Sequence, residues 1–528
     1  MRWNWLRSAP VWGMVLMSVI PNTLLAQAEE QEEQYQVGQA VPPMDEGSVL
    51  VPMSLEEAVT RALEMNLDLQ AARLDPRIQR YSMVVAQAAF DPTISSTLGY
   101  NDSRSQSTSQ LDGGAQTTTT RETYNASLSK TMPWYGGRLS ASFNNSKSET
   151  NNVFATVNPN YRSSFQLGYT QPLLAGLKTD NQRTALQTQE IQGEITDLQL
   201  LTRVANISDQ VRRAYWALRA AIEQIEIQRQ NLAQANELLE QNRIRVQLGS
   251  LSELQVVQAE AQVVSAEQAL LNAEIQWRNQ ELVFKSLLAG GADDPLFRQT
   301  INPTDLPVIE PRNVDLDQAI EFALEERTDL RQQRQQRQIS DLNLAVTRNN
   351  TLPDLSLNAS YSVQGVGGNR YERSGIGGDA ELVEEGGYLD GLQSIWDRDT
   401  PTWNLSLNFS YPVGNNAAKA SVERARLQIQ QADLDLRAQE LSVVTQVTDA
   451  GLAVRDTYLQ LQAAQRSREV AERSADFEIT RFNVGAATNY EVMQARDALT
   501  SARLSELRAI INYVNAIAEF ERVQRVGG

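Results

Sequence analysis

The sequence predicts an α+β membrane protein made of two internal repeats. Three observations carry this: a gapless self-alignment, very long stretches of seven-residue apolar periodicity, and short stretches where the period falls to two. Long antiparallel coiled-coil helices are expected to dominate. The strands are expected to contribute to a transmembrane β-barrel shared between several copies. Composition narrows the function. The 528 residues contain no Cys and no His. That excludes a thiol nucleophile, a Ser-His-Asp triad, a disulfide and the usual His/Cys zinc site. It also leaves no Cys for an N-terminal lipid. Acidic residues (65) outnumber basic ones (47) for a net charge of −18, so nucleic acid is not an expected partner.

Residues 1–28 read as a signal peptide. Arg2 and Arg7 are basic, Val11 to Ile20 is largely apolar, and Ala26-Gln27-Ala28 is an A-x-A cleavage signal. Removing this leader takes two positive charges and no acid from −18, leaving −20. No later run approaches the ~18 apolar residues of a membrane helix, so entry into a bilayer would have to be as strands. Residues 29–52 are an acidic, Pro-containing lead-in expected to be poorly ordered.

The repeats are read as 53–289 and 314–526, joined by a linker at 290–313. Leu55, Ala58, Ala62, Leu63, Asp68, Leu69, Pro92 and Tyr100 meet Leu316, Ala319, Ala323, Leu324, Asp329, Leu330, Pro353 and Tyr361. Further on, Arg245 to Gly249 meets Arg481 to Gly485, and Gln171-Pro172-Leu173 answers Tyr411-Pro412-Val413. In the first repeat Val211, Leu218, Ile225, Leu232, Leu239 and Val246 recur every seven residues, as do Val256, Val263, Leu270, Trp277 and Phe284. The second repeat does so with Val447, Val454, Leu461, Ala475 and Phe482. Such a series marks supercoiled helices. A helix over 173–247 would run roughly 110 Å, and helices over 54–90 and 251–288 about 55 Å each. Two short helices end to end thus match one long one. Residues 416–484 against 315–350 and 488–525 repeat the arrangement, which puts the linker at the waist of a rod. Ser54, with Glu57 three residues on, and Asp315 are expected N-caps.

Strands are expected at 93–100, 164–170, 355–361 and 403–411, where apolar and small polar residues alternate and aromatics cluster near the ends. Four strands cannot close a lumen, and open edges are not tolerated in lipid, so several copies must share one barrel. Extra strand-like text at 124–132 and 138–144 leaves two possibilities. The first repeat holds either four strands, giving six per chain, or two strands and a hairpin on the rim. Residues 101–120 and 362–400 read as loops. Gly365–Gly368 lacks a following Lys-Ser/Thr and is read as loop, not phosphate cradle. Arg331, Arg334 and Arg337 read as a solvated helix face.

The duplicated order, the Pro-capped strand starts, Gln171-Pro172-Leu173-Leu174 and the paired Gly turns resemble the TolC family of outer membrane efflux proteins across 53–526. The resemblance implies a homotrimer in the outer membrane whose helices form a periplasmic tunnel. It also implies service as the exit duct of a tripartite efflux pump or type I secretion system. The partners would be a periplasmic adaptor (membrane fusion protein), an inner-membrane transporter and outer membrane lipid, with no cofactor, metal or catalytic residue. Leu248, Gly249, Ser250, Val484, Gly485 and Ala486 fall on the family's adaptor-docking tips. Glu491 matches the first acid of its periplasmic gate; the second position is Gln494, which weakens that expectation. The counterparts in the first repeat are Gln255 and Gln258. Two other readings compete. A coiled-coil structural or adhesive surface protein would show continuous heptads ending in a stalk, whereas here strands interrupt both repeats. A carboxylate enzyme would need converging acids, whereas these scatter over helix faces.

Overall fold

The computed structural model describes residues 40–44, 49–107, 114–375 and 378–527. The signal peptide and residues 29–39 and 45–48 of the lead-in lie outside them. The lead-in ends as strand β1 (Val49–Met53), against the expectation of poor order. It pairs in parallel with β6 (Gln299–Pro303) from the linker, Val51 opposite Ile301.

The stretch expected as one helix over 54–90 is three: α1 (Leu55–Met65), α2 (Leu67–Ala72) and α3 (Asp75–Gln87). Ser54 and Glu57 form the expected capping box. Asn66 ends α1 and caps α2, accepting from Leu69 N–H at 3.1 Å and donating to the Leu287 carbonyl at 3.0 Å. Pro76 opens α3, in the first turn where its missing N–H costs nothing. In the second repeat α6 (Leu316–Glu326), capped by Asp315, and α7 (Thr328–Asn349) break at the buried Arg327.

The long helices are α4 (Asn181–Gln247) and α9 (Asn416–Asn483), of 67 and 68 residues, or about 100 Å each. α4 begins eight residues later than expected. Leu173 N–H and Ala175 N–H instead bond to Leu355 and Pro353 carbonyls, which carries the chain past the neighbouring strand before Asp180 caps the helix. α5 (Glu253–Leu288) and α10 (Asn489–Val523) return beside them. The heptad residues form the seams. Val211, Leu218, Ile225, Leu239, Val263, Trp277, Phe284, Val447, Val454, Leu461, Ala475 and Phe482 are buried, and Leu232, Val246, Val256 and Leu270 are half-buried. At the waist Tyr215 donates to the Met53 carbonyl and accepts from Asp305 N–H, while Tyr513 does the same with the Glu310 carbonyl and Arg312 N–H. The two tyrosines tie each long-helix layer to its linker arm.

The first repeat contributes four strands: β2 (Thr93–Gln106), β3 (Gln116–Thr131), β4 (Arg138–Thr150) and β5 (Asn160–Pro172). The second adds β7 (Asp354–Gly367) and β10 (Pro401–Ser410). All six form one antiparallel sheet in the order β10-β7-β5-β4-β3-β2, which settles the count at six per chain. The strands outrun the expected ones, so most of the 101–120 loop is strand. The 362–400 loop holds a small hairpin, β8 (Arg370–Arg373) with β9 (Ala380–Glu384), and a helix, α8 (Tyr388–Asp397).

Register separates the faces cleanly. Leu98, Tyr124, Leu128, Ala141, Phe143, Phe165, Leu167, Tyr169, Leu357, Tyr361, Trp403, Leu405 and Leu407 share one side. Ser, Thr, Asn, Gln and Gly dominate the other, with Arg121, Arg138 and Arg162 among them and Val366 near its end. This is lipid-and-water alternation repeated over every strand. No described helix is long and apolar enough to cross a membrane.

Candidate docking tips and tunnel constriction

Both long helices end alike. After α4, Gly249 (φ 73°) donates to the Val246 carbonyl and Ser250 N–H to that of Arg245. After α9, Gly485 (φ 80°) donates to Phe482 and Ala486 N–H to Arg481. Each is a Schellman-type cap, which needs a left-handed residue that only glycine adopts freely. A side chain at either glycine would meet no atom, so φ alone demands Gly. Leu248 and Val484, one residue earlier, are each 76% exposed. Two apolar side chains thus stand in solvent at the tips.

The hairpins are knitted together behind these turns. Leu238, Phe482 and Val492 form a small core. The Arg245 guanidinium lies 4.2 Å from the Phe482 ring centre and donates to the Phe482 carbonyl. Along α10 a polar series recurs at seven-residue spacing and binds α4: Asn489 to the buried Asn242 at 3.1 Å, Arg496 to the Gln234 carbonyl at 2.6 Å, and Arg503 to Gln230 at 3.2 Å. Burial draws the Arg496 guanidinium below its ordinary value. The sequence reading missed this ladder. Its signal is the 489–496–503 spacing, a polar heptad beside the apolar ones.

Glu491 sits in the first turn of α10. Its carboxylate accepts from Thr488 N–H (2.6 Å) and Thr488 Oγ1 (2.9 Å), closing a capping box. These bonds, backbone first, hold its pKa below the ordinary carboxyl value. Gln494 is exposed on the next turn, as is Gln258 on α5; Gln255 is half-exposed. A further acid lies beyond Gln494: Asp497 accepts from Gln262 Nε2 at 2.7 Å, and burial raises its pKa. Among the described residues no acidic group is arranged to hold a metal.

A rod of paired long helices, carrying at one end a sheet with one apolar face, defines the class of outer-membrane channel-tunnels. The chain belongs to the outer membrane efflux protein family, matched over residues 138–290 and 319–522. It is 24% identical over 478 residues to the pyoverdine export outer membrane protein OpmQ of Pseudomonas aeruginosa, covering 88% of this chain and 84% of that protein. Its fold is that of the CmeC outer membrane channel of Campylobacter jejuni (TM-score 0.62, 15% identity, 89% of this chain and 85% of that one). VceC of Vibrio cholerae shares it too (TM-score 0.63, 14% identity, 90% and 96%). The protein is therefore an outer membrane efflux channel with a periplasmic helical portion; the adhesive coiled-coil reading is not favoured.

Proposed function

We propose that three copies form one passive exit duct, completed by a periplasmic adaptor and an inner-membrane transporter. The observation that carries the assembly is a second set of apolar stripes, left uncovered by the chain itself. On α9, Leu427, Leu434, Leu441, Leu459, Val470 and Phe477 are all more than half exposed; on the opposite flank so are Ile78, Tyr81, Val85, Val257, Val264, Leu271 and Leu282 of α3 and α5. Steps of seven and eleven residues run through both sets, as coiled-coil seams do. α9 runs antiparallel to α3 and α5, so one copy's α9 fits against the next copy's α3 and α5.

The sheet makes the same demand. Its outer strands β2 and β10 leave unpaired edges, which lipid does not tolerate. With six strands, β2 and β10 point oppositely, so neighbouring copies join antiparallel. Three copies of a six-stranded sheet give eighteen strands, a wide lumen by the growth of barrel diameter with strand number. In detergent, the expected mass is that of three chains; a water-soluble monomer overturns the reading.

The tips, Leu248-Gly249-Ser250 and Val484-Gly485-Ala486, are assigned to adaptor docking, supported by their paired geometry and exposed apolar residues. Glu491 is assigned to the constriction, where three copies would set a ring of negative charge favouring cations. Opening would require α10 to leave α4, breaking the polar ladder. No catalytic step is needed, because the transporter supplies the energy. Likeness to a pyoverdine exporter favours small-molecule efflux over protein secretion. The leader 1–28 would be removed on export, leaving the repeats 53–289 and 314–526 around the 290–313 linker.

A further inference from the structure

The apolar face of the sheet is interrupted at its far end from the long helices. Asn145, Ser163 and Val363 belong to that face by register, yet each is no more than 4% exposed, whereas Leu167, Trp403 and Leu405 of the same face are open. Helix α8 covers them. Its fit is backbone against backbone: a Cβ at Gly365 would lie 1.9 Å from the Gly391 carbonyl oxygen, and one at Gly367 2.1 Å from that of Gly387. The glycines read as an empty loop in the sequence are the seat of this helix.

The anchors also give its direction. Tyr388, at the start of α8, donates to Asn145 Oδ1 on β4 at 3.1 Å and stacks edge-on to Tyr161 of β5. One turn later Gly391 rests on β7. Gly387 and Gly391 thus rest on the same strand, against Gly367 and Gly365, so the helix follows β7 while the Tyr388 side chain reaches across β5 to β4. With Gly391 turned to the sheet, Leu389 and Trp396 fall on the opposite side at 100° per residue, 75% and 87% exposed. Leu392 lies on one flank, Asp390 and Asp397 on the other.

We propose that α8 is an interfacial helix that beds Leu389, Leu392 and Trp396 into the outer leaflet around the barrel. Continuity with the lipid-facing band identifies the occupant, since α8 lies on that face and overlaps its last apolar row, Phe143-Phe165-Val363, at Val363. A short helix that turns Leu and Trp away from the sheet is suited to the boundary between headgroups and acyl chains. A neighbouring copy is the weaker candidate, because α8 is seated on β7 and β5, inside the β10 edge where copies would meet. The helix would fix the height of the barrel and seal the outer leaflet against it. This rests on the outer-membrane placement of the sheet.

The chain has no Cys, so single substitutions take one probe. Leu389→Cys and Trp396→Cys, each labelled with an environment-sensitive fluorophore, are reconstituted as full-length protein in phosphatidylcholine vesicles. The lipids carry a nitroxide near the headgroup or near the chain end. Quenching by the shallow nitroxide should exceed that by the deep one about twofold, and aqueous iodide should quench little. Iodide quenching equal to that of Asp379→Cys in the preceding loop overturns the proposal. Shielding from both lipid and iodide also overturns it, and assigns the face to a second copy. Leu167→Cys, on the strand face, separates the two levels. Lipid quenching there with both helix sites in water rejects the helix alone; water at Leu167→Cys rejects the membrane placement beneath it.

Discussion

Glu491 has an observed role and a proposed one, which a substitution can separate. Its carboxylate caps α10 through Thr488, and its charge is assigned to the constriction. Thr488→Ala removes a cap partner and keeps the charge, whereas Glu491→Gln removes the charge. In single-channel recordings Glu491→Gln should lose cation selectivity while Thr488→Ala keeps most of it; equal effects would reduce Glu491 to a cap. A second residue-scale test lies at the break between α6 and α7. Arg327 is fully buried and grips Asp329 with two bonds of 2.9 and 2.8 Å. Burial alone would push the Asp329 carboxyl up, but Arg327, Gln439 and Leu330 N–H outweigh it and hold the pKa below 3.8. Because the folded value is the lower one, the stabilisation is full well above the ordinary carboxyl range and is lost as pH falls through the depressed value. Asp329→Asn should cost about 3 kcal/mol at neutral pH, since it strands a buried guanidinium. Guanidinium-chloride unfolding would measure it, and the gap to the unsubstituted protein should narrow in acid. The pairing Asp68 to Asp329 was visible as a repeat match, but the partner Arg327 was not, because it sits at a break the periodicity does not mark.

The helices were legible almost to the residue wherever apolar residues recur every seven, since one period fixes both the helix and its seam. α5, α9 and α10 begin and end within two residues of expectation. The misses have physical causes. Asn66 and Arg327 stop helices through side-chain bonds to distant backbone, and α4 starts late because residues 173 and 175 first bond to the start of β7 and to Pro353 just before it. At the tips, the glycine turns were legible from their repeat, and their docking role is testable. Ser250→Cys and Ala486→Cys, carrying a short bifunctional crosslinker in intact cells, should capture a periplasmic adaptor. A probe at mid-helix, such as Asp449→Cys on the exposed middle of α9, should not. Equal capture at both heights would remove the tips as the docking surface.

At the scale of the whole molecule, the uncovered stripes of α9, α3 and α5 are the strongest statement about assembly. Burying a Leu or Val is worth about 1.5–3 kcal/mol, and several such residues line each stripe. Leu434→Glu together with Val264→Glu should leave the fold of one chain intact, because neither side chain touches its own core. It should nevertheless shift the detergent-solubilised protein from trimer to monomer in analytical ultracentrifugation. A persistent trimer would mean that barrel closure alone holds the copies together.

The two-repeat plan, the long helices, the glycine tips and the presence of strands with one apolar face can be read along the chain, because each is a local period or a local backbone requirement. The six-strand sheet, the parallel pair at the waist, the polar ladder between α10 and α4, and the helix seated on the glycines of β7 emerge only on folding. Those features depend on which residues meet across hundreds of positions. A run such as Gly365–Gly368 shows why: its meaning lies in the absence of side chains where another backbone must approach, and nothing in the run names the segment that does.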